Sequence, residues 1–140
     1  MAQGDGEILN QAKVGIMGAW NLASGGDTIK MVMCSGTEPA NPDGTVVLAD
    51  LTQIVAANYA AATLGSQALT QDDSGNLAKW DAADVVFTSL GAPSAPLTFC
   101  ALADDTIAND PVLCHWTLTT QPNGGNYTLT FDGAGIITLT

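Results

Sequence analysis

The sequence contains no arginine, and three lysines stand against fourteen acidic residues, so the formal net charge at pH 7 is −11. Proteins that bind nucleic acid neutralise phosphates with lysine and arginine, and they read guanine with bidentate arginine. A surface of this composition excludes both kinds of contact, and an anionic membrane would repel it in the same way. We therefore expect no nucleic-acid partner and no membrane partner. A surface this acidic indicates either solubility at high local density or a basic partner.

Long apolar runs are also absent. No stretch approaches the ~18 consecutive apolar residues of a membrane-spanning helix. The opening "MAQGDGEILN" has neither the basic nor the apolar region of a secretory signal. We expect the chain to be made in a cytoplasm and to carry no membrane span.

Only three cysteines and one histidine are available as sulfur or imidazole ligands. Cys34, Cys100 and Cys114 each lie in an apolar, strand-like run, and no CxxC spacing occurs. His115 directly follows Cys114, and neighbours on a strand point to opposite faces, so these two side chains cannot easily hold one ion. The sequence predicts three buried free thiols, with no metal and no cofactor.

The residues that are plentiful favour strands. Apolar residues make up 46% of the 140 residues and charged residues 12%, and threonine is common where glutamate is nearly missing. Short apolar segments alternate with Asp, Gly, Asn and Pro clusters at the spacing of a sandwich. These segments read "DTIKMVMCS", "NLAKWD", "DVVFTSL", "APLTFCALAD", "PVLCHWTLTT", "NYTLTFD" and "GIITLT", with shorter candidates at Gln53–Val55 and Gln67–Thr70. We predict one all-β domain over residues 1–140. Its fold is expected to be an antiparallel β-sandwich, and a jelly roll is one topology that fits the pattern.

Alternation within the segments predicts one buried face for each strand. Tyr127, Leu129 and Phe131 alternate with polar residues, and Cys114 and Trp116 continue the same pattern in an earlier segment. His115 falls on the opposite face, as a packed or edge-facing residue. The predicted core comprises Trp80, Phe87, Phe99, Trp116, Leu129 and Phe131.

Residues 1–25 form an N-terminal segment ahead of the sandwich at 27–140. Its apolar residues recur at spacings of four, which predicts a short amphipathic helix with Asp5 as its N-cap. These residues are Ile8, Ala12, Ile16 and Trp20. Between the first two sandwich segments, Gly36–Asp50 contains two prolines and a Pro-Asp-Gly turn, so it is predicted to be a long loop.

Four aspartates, Asp72, Asp73, Asp81 and Asp84, lie close together in "QDDSGNLAKWDAAD". A calcium loop is one interpretation, because Asp72, Ser74 and Asn76 offer oxygens at alternate positions, but no acid closes the loop at the required distance. A hairpin turn is the favoured interpretation, since Asp, Ser, Gly and Asn are the residues that tight turns require.

The same region offers no catalytic carboxylate pair, because an exposed turn lacks the apolar pocket that raises the pKa of one member. His115 is the only candidate base, and no GxSxG motif supplies a nucleophile. "NPDGT" and "DGAGI" read as turns and not as phosphate loops, since neither opens a helix. We predict no catalytic residue and no enzymatic activity.

The order of several motifs resembles a family of small structural proteins of tailed bacteriophages. The similar stretches are "DTIKMVM", "ALTQDDSGNLAKWDAADVVFTSL", "FCALADDTIANDPVLCHWTL" and "YTLTFDGAGIITLT", and together they span Asp27 to Thr140. Family members have a "D-T-I-K-V-A-L" strand after a short N-terminal helix, a "V-T-Q-D-D" segment and a closing "G-I-x-T-L-T". Trp80 replaces a common phenylalanine, Ala83 replaces an acid, and Cys100 and Ala103 replace larger side chains.

The resemblance implies a virion component, a head decoration or cement protein that binds the outside of a phage capsid. It implies the major capsid protein as a partner, self-association as a trimer, and no catalytic residues. We expect the docking surface in the N-terminal segment 1–25 and in the Gly36–Asp50 loop. A phage tail or fibre component that binds a host-surface glycan is the alternative, and exposed tryptophan platforms among Trp20, Trp80 and Trp116 would distinguish it.

Overall fold

The computed structural model describes residues 2–3, 7–8, 20–40, 45–72 and 77–139. These residues form eleven β-strands and one 3-10 helix, at Leu48–Asp50. The strands are β1 (Ala2–Gln3), β2 (Glu7–Ile8), β3 (Ile29–Ser35), β4 (Ala62–Thr63), β5 (Ala68–Asp72), β6 (Leu77–Asp81), β7 (Val85–Phe87), β8 (Leu97–Asp104), β9 (Val112–Thr117), β10 (Tyr127–Phe131) and β11 (Ile137–Leu139). No helix within the described ranges is long and apolar enough to cross a membrane.

The strands are arranged in three sheets. A five-stranded sheet has the order β2-β9-β8-β3-β4, and two three-stranded sheets have the orders β1-β10-β7 and β11-β6-β5. All pairings in these sheets are antiparallel except that of β1 with β10. The prediction of an all-β, antiparallel, sandwich-like fold is confirmed. Each of the seven longer predicted segments contains a strand, whereas Gln53–Val55 contributes only one isolated bridge, between Gln53 and Cys34.

The main hydrophobic core combines apolar side chains from all three sheets. Met31 of β3, Trp80 of β6, Leu129 of β10 and Ile137 of β11 all belong to one buried cluster. The six residues that alternation placed in the core are buried, as predicted: Trp80, Phe87, Phe99, Trp116, Leu129 and Phe131. Phe99 alone among them belongs to a second cluster, formed on the five-stranded sheet.

This second cluster corrects the prediction that each strand turns one face to solvent. Nearly every residue of β3, β8 and β9 is buried, whichever face its side chain occupies. The cluster contains Val32, Cys34, Phe99, Ala101, Ala103 and Val112. Val46, Leu48 and Leu51 pack against it from outside the sheet. The five-stranded sheet is therefore covered on both faces, because a segment distant in sequence shields the face that alternation had assigned to water.

The prediction of an N-terminal helix is wrong at Glu7–Ile8, the part of that helix that the structure describes before residue 20. Glu7–Ile8 is extended and pairs antiparallel with His115 and Cys114 of β9. Backbone hydrogen bonding to the edge of a sheet therefore overrides the weak helical spacing at this position. Residues 9–19, which carry the rest of that prediction, lie outside the described residues, and Trp20 packs partly buried against the main core.

We predict that the packed rings of Trp116 and Phe131 are essential to stability. Their centroids lie 5.9 Å apart, and both side chains are buried in the main core. Trp116→Ala and Phe131→Ala should each lower the free energy of unfolding by ~2–5 kcal/mol, measured by urea denaturation. Val55→Ala, at a side chain that is 74% exposed, is the control and should change stability by less than ~0.5 kcal/mol. Core variants that unfold together with the wild type would contradict the assigned strand registers.

Candidate docking surface

One segment lies over the central strands of the five-stranded sheet, on its second face. Val47 forms a bridge with Pro111, next to the start of β9, and Gln53 forms a bridge with Cys34 of β3. Strand β8 lies between β9 and β3 in the sheet, so residues 46–53 span three strands. We call residues 46–53 the bridging segment. It includes the end of the predicted Gly36–Asp50 loop, and residues 41–44 of that loop lie outside the described residues.

An open groove of about 470 Å³ lies along the bridging segment. Its lining residues are Val47, Leu48, Ala49, Leu51, Gln53, Asn109 and Asp110. The aliphatic side chains are half-buried, apart from that of Ala49, which is exposed. The groove thus combines aliphatic side chains with the amides of Gln53 and Asn109 and the carboxylate of Asp110. This chemistry suits a short apolar segment of another protein.

Hydrogen bonds fix the backbone of the bridging segment. The Asp50 carboxylate accepts the Val47 N–H at 3.0 Å, which caps the 3-10 helix. The Leu48 N–H donates to the Asp110 carbonyl at 2.9 Å. The Leu51 N–H donates to the Leu48 carbonyl at 3.1 Å. These bonds tie the groove to the turn that joins β8 to β9, so the groove is preformed.

The turn between β8 and β9 forms the opposite wall of the groove. Asn109 and Asp110 have φ angles of 69° and 47°, and Asn and Asp are among the non-glycine residues that most readily adopt this left-handed conformation. The Asp110 N–H donates to the Ile107 carbonyl at 3.1 Å. Sequence reasoning did not identify these two residues as part of a surface. The signal was the Asn-Asp pair before Pro111, which is typical of a turn.

Of the four clustered aspartates, Asp72 and Asp81 lie in strands β5 and β6, Asp84 precedes β7, and Asp73 lies outside the described residues. Strands β5 and β6 pair antiparallel up to Asp72 and Leu77, which confirms a hairpin, while residues 73–76 lie outside the described residues. The Asp81 carboxylate accepts the N–H of the next residue at 2.9 Å. The Asp84 carboxylate accepts the N–H of Phe131 at 3.0 Å. In the described ranges, no three His, Cys, Asp or Glu side chains are grouped to hold a metal ion.

His115 is a packed residue, as the sequence analysis predicted. Its side chain is 4% exposed and meets the ring of Phe99 edge-on, with centroids 6.4 Å apart. Its Nδ1 lies 3.8 Å from a carboxylate oxygen of Glu38, which belongs to the Gly36–Asp50 loop. The contact helps to hold this loop against the second face of the sheet.

The tryptophans do not form an exposed platform. Trp80 and Trp116 are buried in the main core, and Trp20 is partly buried against it. Stacking on a sugar ring requires an open aromatic face, so these residues give no support to the glycan-binding alternative.

Comparisons of the chain with protein-family models, with curated proteins and with solved structures find no match. The groove combines half-buried apolar side chains, polar groups and a hydrogen-bonded backbone. Three of its lining residues, Val47, Leu48 and Ala49, belong to the Gly36–Asp50 loop, and the other four lie outside it.

The three cysteines lie in the sheet beneath this surface, and all are free and buried. Burial raises the pKa of Cys34 to about 12. Burial is also the main cause that raises the pKa of Cys100 and of Cys114 well above the usual range of a thiol. A thiol of raised pKa is protonated at neutral pH, and the thiolate is the reactive form.

We predict that none of the three thiols reacts in the folded protein. An aromatic disulfide reagent added at neutral pH should release no chromophore from the native chain, because the thiols are both inaccessible and protonated. In denaturant, without any reductant, the same reagent should titrate three thiols, matching the three free cysteines. A titre of one thiol would instead reveal a disulfide and contradict the assignment.

Proposed function

We propose that the protein is a virion structural protein that binds the outside of a phage head and stabilises it, as a capsid decoration or cement protein. The motif resemblance over Asp27 to Thr140 suggests the class. The observation that carries the proposal is the preformed groove along the bridging segment. An adhesive protein requires such a surface, whose backbone is already ordered before its partner binds.

The partner in this proposal is the major capsid protein. Aliphatic groups from Val47, Leu48 and Leu51 line the groove and would bury an apolar side chain of the capsid. Asp110 at the groove and Asp50 beside it favour a capsid segment that also carries a lysine or arginine. The negative electrostatic potential of a chain of net charge −11 would repel an acidic partner.

The charge also supports an external position. Packaged DNA is densely negative, so a chain of net charge −11 would be repelled from the inner surface of the head. On the outer surface the same charge faces solvent and opposes aggregation of particles.

A groove of this size supports only a weak single contact. Symmetric repetition on a capsid makes weak contacts effective together, because linked binding events raise the effective concentration of each site. Self-association, as the trimer that the resemblance implies, would multiply the contacts of each unit. Apolar burial would dominate each contact, so raised salt should weaken attachment only modestly.

We predict that heads carrying the protein retain DNA to a higher temperature than stripped heads. Heat-induced DNA release should be measured for stripped heads and for heads reconstituted with the wild-type protein or with a variant. Ala49→Trp should abolish the protection, because an indole at this exposed position fills the groove without entering the core.

Ala95→Trp is the matched control, since Ala95 is also exposed but is not a lining residue of the groove. It should protect heads as well as the wild type does. Equal protection by both variants would exclude the groove as the docking surface. Release of DNA at the same temperature from reconstituted and stripped heads would contradict the cement function. Location of labelled protein on the tail would contradict it as well, and either result would favour the fibre alternative.

A further inference from the structure

Asp104, at the end of β8, is a buried acid with one oxygen satisfied and one not. The residue is 0% exposed. Its Oδ1 accepts the N–H of Thr106 at 2.9 Å and that of Ile107 at 3.3 Å. Its Oδ2 is buried and has no hydrogen-bond partner in the described part of the chain. An ionised carboxylate left in this state would be costly, because a buried charge needs compensation at every oxygen.

The side chain that meets Asp104 is another acid, Asp27. Asp104 pairs with Ile29 across β3 and β8. Asp27 directly precedes Thr28, whose carbonyl accepts the Asp105 N–H at 2.8 Å and whose N–H donates to Thr106 Oγ1 at 2.7 Å, so Asp27 lies beside the residues that follow Asp104. One oxygen of Asp27, Oδ2, accepts the N–H of Asn21 at 3.0 Å. Burial is the main cause that raises the pKa of Asp104, and the charge of Asp27 and contact with that residue raise it further. The hydrogen bonds from the Thr106 and Ile107 N–H groups act in the opposite direction and lower this pKa.

The surrounding charges do not neutralise this pair. Lys30 lies one residue beyond Ile29, on the other face of β3, and its ammonium group is 2.7 Å from the carboxylate of Asp105. Asp110, on the same turn, is a further acid and supplies no cation. When two carboxyl groups are adjacent and no cation lies between them, the last proton is held more tightly, because its loss would place two negative charges side by side.

We propose that Asp27 and Asp104 share one proton. The resulting hydrogen bond, which we call the clasp, links the segment before β3 to the turn between β8 and β9. In this arrangement the Oδ2–H of Asp104 donates to the carboxylate of Asp27. Two backbone contacts reinforce the clasp: the Thr28 N–H donates to Thr106 Oγ1 at 2.7 Å, and the Asp105 N–H donates to the Thr28 carbonyl at 2.8 Å. The proposal does not depend on head binding.

The clasp makes the groove sensitive to pH. The pKa of Asp104 is higher in the folded chain than in the unfolded chain. Its contribution to stability is therefore complete below the unfolded pKa and is lost as the pH rises through the folded pKa. Loss of the proton places two like charges side by side and weakens the turn. The Asp110 carbonyl of that turn accepts the Leu48 N–H, so the groove wall loosens with it.

The test uses Asp104→Asn in the full chain. Asparagine retains an oxygen for the Thr106 and Ile107 N–H groups, and its amide N–H donates to Asp27 in place of the shared proton. The melting temperature of the wild type should fall as the pH rises through the folded pKa of Asp104, and this step should be missing in Asp104→Asn. Asp132→Asn is the control of equal charge change, because the carboxylate of exposed Asp132 accepts the Ala134 N–H within its own turn. The melting temperature of Asp132→Asn should still fall as the pH rises through the folded pKa of Asp104.

A second measurement on the wild type applies even if Asp104→Asn fails to fold. The side-chain carboxyl carbon of Asp104 and the amide of Leu48 should be followed by NMR across the same pH range. Both should shift with one common midpoint above that of a free aspartate. An ordinary aspartate midpoint for Asp104 would overturn the shared proton, and a Leu48 amide that does not follow it would overturn the link to the groove.

Discussion

Burial of the five-stranded sheet on both faces is the constraint on which the rest of the structure depends. Its central strands carry apolar side chains above and below the sheet, so neither face tolerates water. The two smaller sheets cover one face, and the bridging segment packs on the other. The bridging segment is held at one end by the bridge between Val47 and Pro111, next to β9, and at the other by the bridge between Gln53 and Cys34 of β3. A loop that would otherwise be flexible is thereby ordered, and the groove is a consequence of this second cover.

The sequence predicted the strands and the main core because both follow from local pattern. In "YTLTF" the alternation of large apolar residues with threonine matches the burial of β10 residue by residue. In "IKMVMCS" and "FCALA" the apolar run is nearly continuous, which indicates a strand buried on both faces. Alternation was therefore the wrong pattern for β3 and β8. His115 is buried because the Gly36–Asp50 loop and the bridging segment pack over its face of the sheet, and these segments lie more than sixty residues earlier in the chain.

The candidate surface was predictable only in part. Proline and glycine mark Gly36–Asp50 as a loop, but its end is joined to Pro111 by a long-range bridge that no local pattern encodes. The turn at Asn109 and Asp110 completes the groove from a distant part of the chain. The N-terminal helix failed for the related reason that the edge of β9 offered Glu7–Ile8 backbone hydrogen bonds. Non-local pairing decided all three outcomes.

A chain with no arginine and only three lysines has few cations with which to form ion pairs, and here carboxylates accept backbone N–H groups at the turns. The aspartates that do so are Asp27, Asp50, Asp81, Asp84, Asp104 and Asp132. Hydrogen bonds to charged groups contribute roughly 1.5–3 kcal/mol, whereas surface ion pairs contribute roughly 0–1 kcal/mol. These carboxylates therefore have a structural role, because they order the loops that border the sheets. The same residues contribute to the acidity of the chain, so the order of these loops and the composition of the surface have one chemical origin.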